Sequence, residues 1–119
     1  MIRNYRDLRV WQQGIDFVAE VYRITQRFPR SEDYGLTSQL RRAAISIPSN
    51  IAEGHAREHT KEYLHHLSIA QASLAEVETQ IEIAARLQYV AAEGLESLLE
   101  RCTSLAKQIH ALRNALKSR

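Results

Sequence analysis

"YLHHLSIAQASLAEVETQIEIA", residues 63–84, places Tyr63, Leu67, Ala70, Leu74, Val77, Ile81 and Ala84 at alternating steps of four and three. A strand repeats every second residue. Steps averaging 3.5 draw one apolar seam down an α-helix for three heptads. Thr60 reads as the N-cap, with Glu62 in the first turn favourable to the helix dipole. The helix so defined runs over residues 60–90.

The same spacing returns after "AAEG" in Leu95, Leu98, Cys102, Leu105, Ile109, Leu112 and Leu116, a helix over 92–117. On the N-terminal side, Leu40, Ala44, Ile47 and Ile51 mark a helix over 37–57 with Thr37 as N-cap. Before it, "FPRSEDYGLT" breaks the pattern: Pro29 ends a first helix over 7–28, Ser31 and Glu32 suit a short turn, and Gly35 permits a left-handed residue. Four long helices with short connections predict one all-α domain over 1–119, an up-down-up-down four-helix bundle.

The first helix is apolar over too wide an arc. Leu8, Trp11, Ile15, Val18 and Tyr22 form one stripe; Val10, Gly14, Phe17, Val21, Ile24 and Phe28 form a second beside it. Together they span about 200°, roughly twice what one bundle seam needs. The surplus predicts a homo-oligomer, with Val10, Phe17, Val21, Ile24 and Phe28 as its interface.

Composition narrows the class. Among 119 residues there is one cysteine, which rules out an internal disulfide and fits a reducing compartment. "MIRNYRDLRV" lacks the apolar core of a signal peptide, and no run approaches the ~18 apolar residues of a membrane span. The expectation is a cytoplasmic protein with no membrane partner.

Three stretches, "YRDLRVWQ" (5–12), "FPRSEDYGLTSQLRRAAISIPSNIAEG" (28–54) and "EYLHHLSIAQASLAEVETQ" (62–80), resemble the four-helix-bundle family of proteins encoded in 23S rRNA intervening sequences, related to accessory proteins of diversity-generating retroelements. Matching positions are Tyr5, Asp7, Leu8, Trp11, Phe28, Pro29, Gly35, Leu36, Gln39, Arg41, Arg42, Ser46, Pro48, Asn50, Ile51, Glu53 and Gly54. The resemblance implies a ring-shaped homopentamer, and no catalytic residue or cofactor. The retroelement relatives are basic and are thought to bind nucleic acid and a reverse transcriptase. This chain has a net charge of only +2 and departs from that branch.

"SIPSNIAEG", residues 46–54, sets Pro48 inside a helix, where the carbonyl of Ala44 loses its partner. Ser46, Ser49 and Asn50 are polar side chains at hand to satisfy freed groups, and Asn50 and Glu53 share a face. The segment, with Arg41, Arg42 and Gly54, reads as a structural or interface motif: a bent helix whose polar cluster fixes contacts to a neighbouring helix or subunit. Adjacent Arg41 and Arg42 diverge by 100°, so one pairs with acids while the other meets solvent or phosphate.

In an up-down-up-down bundle, residues 1–10, 53–66 and 107–119 meet at one pole. They hold nine basic residues against four acidic, and all five histidines. Arg3, Arg6, Arg57, Lys61, Arg113, Lys117 and Arg119 are candidates for nonspecific, salt-sensitive contact with RNA or DNA. The competing reading is a solvated pole on a protein–protein scaffold that ignores nucleic acid.

His55 and His59 at i, i+4, with Glu62 and His65, raise a metal site. Di-iron bundles need two Glu-x-x-His units and two further glutamates. One unit at a helix start falls short, and His66 is left without a role. No arginine precedes a histidine at the four-to-six-residue interval used by some helical toxin nucleases. Nucleophile elbow and phosphate-cradling glycine loop are likewise absent from the sequence, and Cys102 sits on a core seam. The sequence predicts no enzyme.

Overall fold

The computed structural model describes residues 3–118. Arg119, one of the candidate basic residues, lies outside the described residues. Helix α1 spans Arg9–Thr25, α2 Leu36–His55, α3 Thr60–Arg86 and α4 Ala92–Lys117; short 3-10 turns occupy Tyr5–Asp7 and Arg30–Glu32, and no strand occurs among the described residues. The bundle measures 46 × 25 × 20 Å. Side-chain pairs fix its antiparallel order: Arg41 meets Thr25 and Gln13 meets Gln108, while Asn50 meets His66 and Arg113 meets Gln71.

The seam residues fill the centre. Phe17, Ile47, Ile51, Leu67, Ile81, Leu105 and Ile109 are at most 1% exposed. Cys102 belongs to this core, and burial, with Glu78 nearby, pushes its thiol up to about 12, so it stays protonated and inert at neutral pH.

The two stripes of α1 are distributed the opposite way to the sequence expectation. Val10, Phe17, Val21 and Phe28 are buried in their own bundle, and Ile24 packs half-buried against it. They are core, not an interface. The reason lies at Gly14, whose hydrogen faces Pro48: a Cβ there would stand 3.3 Å from the proline Cβ. The lack of a side chain lets α1 approach α2 along the Gly14 line, which leaves Ile15 and Tyr22 exposed while Trp11 and Val18 pack half-buried against the core.

Helix ends also differ in detail. Thr37 lies inside α2, buried, and Gly35 is the N-cap with φ −118°, not left-handed. The Glu32 carboxylate takes the capping role, accepting from the Leu36 amide at 3.1 Å, and Tyr89 donates its hydroxyl to the same carboxylate at 3.0 Å. That hydrogen bond, followed by desolvation, raises the Tyr89 pKa. Thr60 is the first residue of α3, behind an N-cap at His59. Helix α3 stops at Arg86 because Gln88 adopts φ 66°. Tyr89 N–H then bonds to the Ala84 carbonyl at 2.9 Å and Gln88 N–H to that of Ala85 at 3.0 Å, a Schellman closure with glutamine where glycine is favoured. A side chain in this region costs about 1 kcal/mol. Replacing Gln88 by Gly is therefore expected to raise the thermal midpoint by a few degrees, worth up to ~1 kcal/mol, in a circular-dichroism melt.

Candidate functional surfaces

The proline segment is continuous helix through Pro48, which is buried. Ser46, Asn50, His66 and Ser73 form one hydrogen-bonded chain across the α2–α3 contact. The Asn50 amide nitrogen donates to the Ser46 carbonyl at 2.9 Å and to its Oγ at 3.0 Å. Asn50 Oδ1 is then left to accept from His66 Nδ1 at 2.9 Å, and Ser73 Oγ bonds to Ser46 Oγ at 2.8 Å. Asn50 thus reaches a neighbouring helix, and Glu53, exposed on the surface, takes no part. His66 is the member that the sequence left unassigned; its spacing of seven residues from Ser73 was the available signal, since equal heptad positions share a seam.

Gly54 lets this chain close. A Cβ there would lie 2.8 Å from Tyr63 Cδ1 and 2.9 Å from His66 Cβ. Gly54→Ala, though it favours helix intrinsically by ~1 kcal/mol, is expected to destabilise by about 1–3 kcal/mol in urea denaturation through the forced displacement of α3.

The arginine pair divides. Arg41 donates from Nε to Thr25 Oγ1 at 2.8 Å and lays its guanidinium 4.3 Å from the Tyr22 ring centroid, so its partners are a hydroxyl and an aromatic face, not an acid. Arg42 is exposed beside Gln39, Ser46, Ser73 and Glu76.

On the outside of α1 and α2, Ile15, Tyr22 and Ile45 expose 43, 38 and 40% of their surface. A groove of about 270 Å³ runs between Ile15 and Ile45 over Trp11, Val18, Pro48, Ser49 and Ala52, with Tyr5 stacked edge-on to Trp11 at 5.2 Å. Ser49 therefore belongs to this apolar surface and not to the polar chain.

The basic pole is assembled less freely than the charge count promised. Antiparallel packing brings the start of α1, the α2–α3 loop and the end of α4 to one end. Arg113, however, turns along the bundle and donates to Gln71, with its Nε buried. Arg57 stands 3.9 Å from the Glu62 carboxylate, and Arg6 lies 5.0 Å from the Tyr5 ring centroid. Arg3, Lys61 and Lys117 remain as exposed cations without an ion pair among the described residues. His55 stacks edge-on to Tyr63, His65 to His66, and no three His, Cys, Asp or Glu side chains converge as metal ligands among the described residues. No described helix is long and apolar enough to cross a membrane.

A four-helix bundle with a polar α2–α3 lock, an exposed apolar face and a loosely basic end defines the class of the protein. The chain belongs to the 23S rRNA-intervening sequence protein family, whose model matches residues 6–111. Comparison with curated proteins returned no match. Among solved structures, a protein of unknown function from the S23 ribosomal protein family of Bacteroides thetaiotaomicron superposes with a TM-score of 0.81 at 21% identity, over 87% of this chain and 97% of the other. At that identity the likeness speaks for the fold alone.

Proposed function

We propose that the chain is a non-catalytic module that assembles with copies of itself and acts as a scaffold or accessory protein. The observation that supports this is the apolar face of Ile15 and Ile45, exposed beside the half-buried Trp11 and Val18. Single exposed apolar residues are ordinary on a protein surface, whereas a continuous line across two helices favours a partner. A second copy is the partner proposed. Each copy also carries a separate apolar pair at the C-terminal end of α3, Ile83 and the C-cap residue Leu87, 45 and 50% exposed. Two unlike patches on one subunit favour a head-to-tail contact, and such contacts close into a ring when the rotation between subunits permits it, forming open filaments otherwise. The family resemblance favours five subunits for such a ring.

Light scattering is the test. The native chain is expected at a multiple of 13.7 kDa, five for the ring, and the Ile15→Glu, Ile45→Glu double variant at a single copy with unchanged helicity. A native mass of one copy at micromolar concentration overturns the reading.

Nucleic-acid contact at the basic end is the second reading, and Arg3, Lys61 and Lys117 support it, multiplied by the copies in a ring. Binding of this kind reads phosphate, not sequence, and weakens steeply with salt. In a gel-shift assay at low salt with a random-sequence RNA, Lys61→Glu with Lys117→Glu is expected to weaken retention at least about tenfold. Retention equal to that of the native chain removes this reading and leaves a scaffold indifferent to nucleic acid.

A further inference from the structure

The outer edge of the α2–α3 contact holds a groove of about 460 Å³, lined by Gln39, Arg42, Ala43, Ser46, Ser73 and Glu76. Its walls carry opposite charge, Arg42 from α2 and Glu76 from α3. Neither side chain makes a hydrogen bond or ion pair among the described residues. They face a shared space without neutralising each other.

The floor adds a directional element. Ser73 is 7% exposed and bonds to Ser46 Oγ at 2.8 Å. Two hydroxyls own two protons, and their mutual bond uses one, whichever serine donates. Ser46 Oγ also accepts from Asn50 Nδ2, and Asn50 is in turn held by His66. One hydroxyl proton of the pair is therefore left with no protein acceptor among the described residues, on side chains that line the groove. Ser73 is the donor in that bond, so the free proton is that of Ser46, a half-buried side chain at the groove wall.

We propose that this groove binds a small zwitterion, with its carboxylate on Arg42 and the spare serine proton and its ammonium on Glu76. A simple anion would meet Glu76, and a simple cation would meet Arg42. Only a ligand carrying both charges satisfies both walls. The chain from His66 through Asn50 fixes the serines before the ligand arrives, so no side chain of the floor has to be ordered on binding. The site is independent of the apolar face and of the basic end.

NMR titration of the full ¹⁵N-labelled chain with the ω-amino acids from glycine to 6-aminohexanoate tests it, with acetate and methylammonium as single-charge probes. Saturable shifts are expected at Gln39, Ser46, Ser73 and Glu76 for at least one chain length, about tenfold tighter than for acetate. Arg42→Gln is expected to weaken that probe about tenfold, and Glu76→Gln to reduce it to the affinity of acetate. Both side chains are unpaired surface groups, and an unchanged amide spectrum away from the groove checks that the fold is intact. Absence of saturable shifts up to about 50 mM, or shifts indifferent to Arg42→Gln, overturns the proposal. So does loss of assembly mass in Arg42→Gln without ligand binding in the native chain, which assigns the groove to contact between copies.

Discussion

The close approach of α2 to α3 is the constraint on which the rest of the bundle depends. Gly54 has no room for a side chain against Tyr63 and His66, and a few residues away the Asn50 amide and two serine hydroxyls join the same pair of helices through hydrogen bonds. Apolar seams slide easily, because one leucine replaces another at little cost in free energy. A buried amide that must find both a donor and an acceptor does not slide. Register between α2 and α3 is thereby set at one position, and the heptads on either side of it follow.

Pro48 gains its meaning from that arrangement. It forfeits a hydrogen bond within α2, yet its ring is the surface on which Gly14 of α1 rests. The two sides of α2 are thus divided between residues: α1 rests on Pro48, while the polar chain from Ser46 and Asn50 holds α3. Drawing α1 in along Gly14 leaves Ile15 and Tyr22 on the outside, beside the half-buried Trp11 and Val18, and Arg41 covers Tyr22 with its guanidinium. The apolar face on which the proposed self-association rests is thus a consequence of how closely two helices pack, and not of a surplus of hydrophobic residues alone.

The loops at the opposite end from the α2–α3 connection are secured by one carboxylate. Glu32 accepts from the Leu36 amide and from the Tyr89 hydroxyl, and Phe28 packs on the Tyr89 ring at 5.3 Å. A single acidic side chain so caps α2 and ties the α1–α2 connection to the one after α3. At the basic end no such anchor occurs among the described residues, and its cations are either spent on neighbours, as Arg113 is on Gln71, or left to solvent, as Lys61 and Lys117 are.

Four helices and their seams were legible in the amino-acid order, because heptad spacing at Tyr63–Ala84 and Leu95–Leu116 records burial directly in the positions of apolar side chains. The presence of a second apolar stripe on α1 was legible for the same reason. Which stripe faces inward was not, since periodicity fixes an angle between residues but no absolute rotation of the helix; the Gly14–Pro48 contact decided it. Nor could spacing tell that Asn50 would choose His66 over Glu53, that Gln88 would take the left-handed position expected of Gly35, or that Arg113 would fold back from the pole. Each of these is a choice among partners brought together only when distant segments pack, and the energy that decides it resides in contacts between helices.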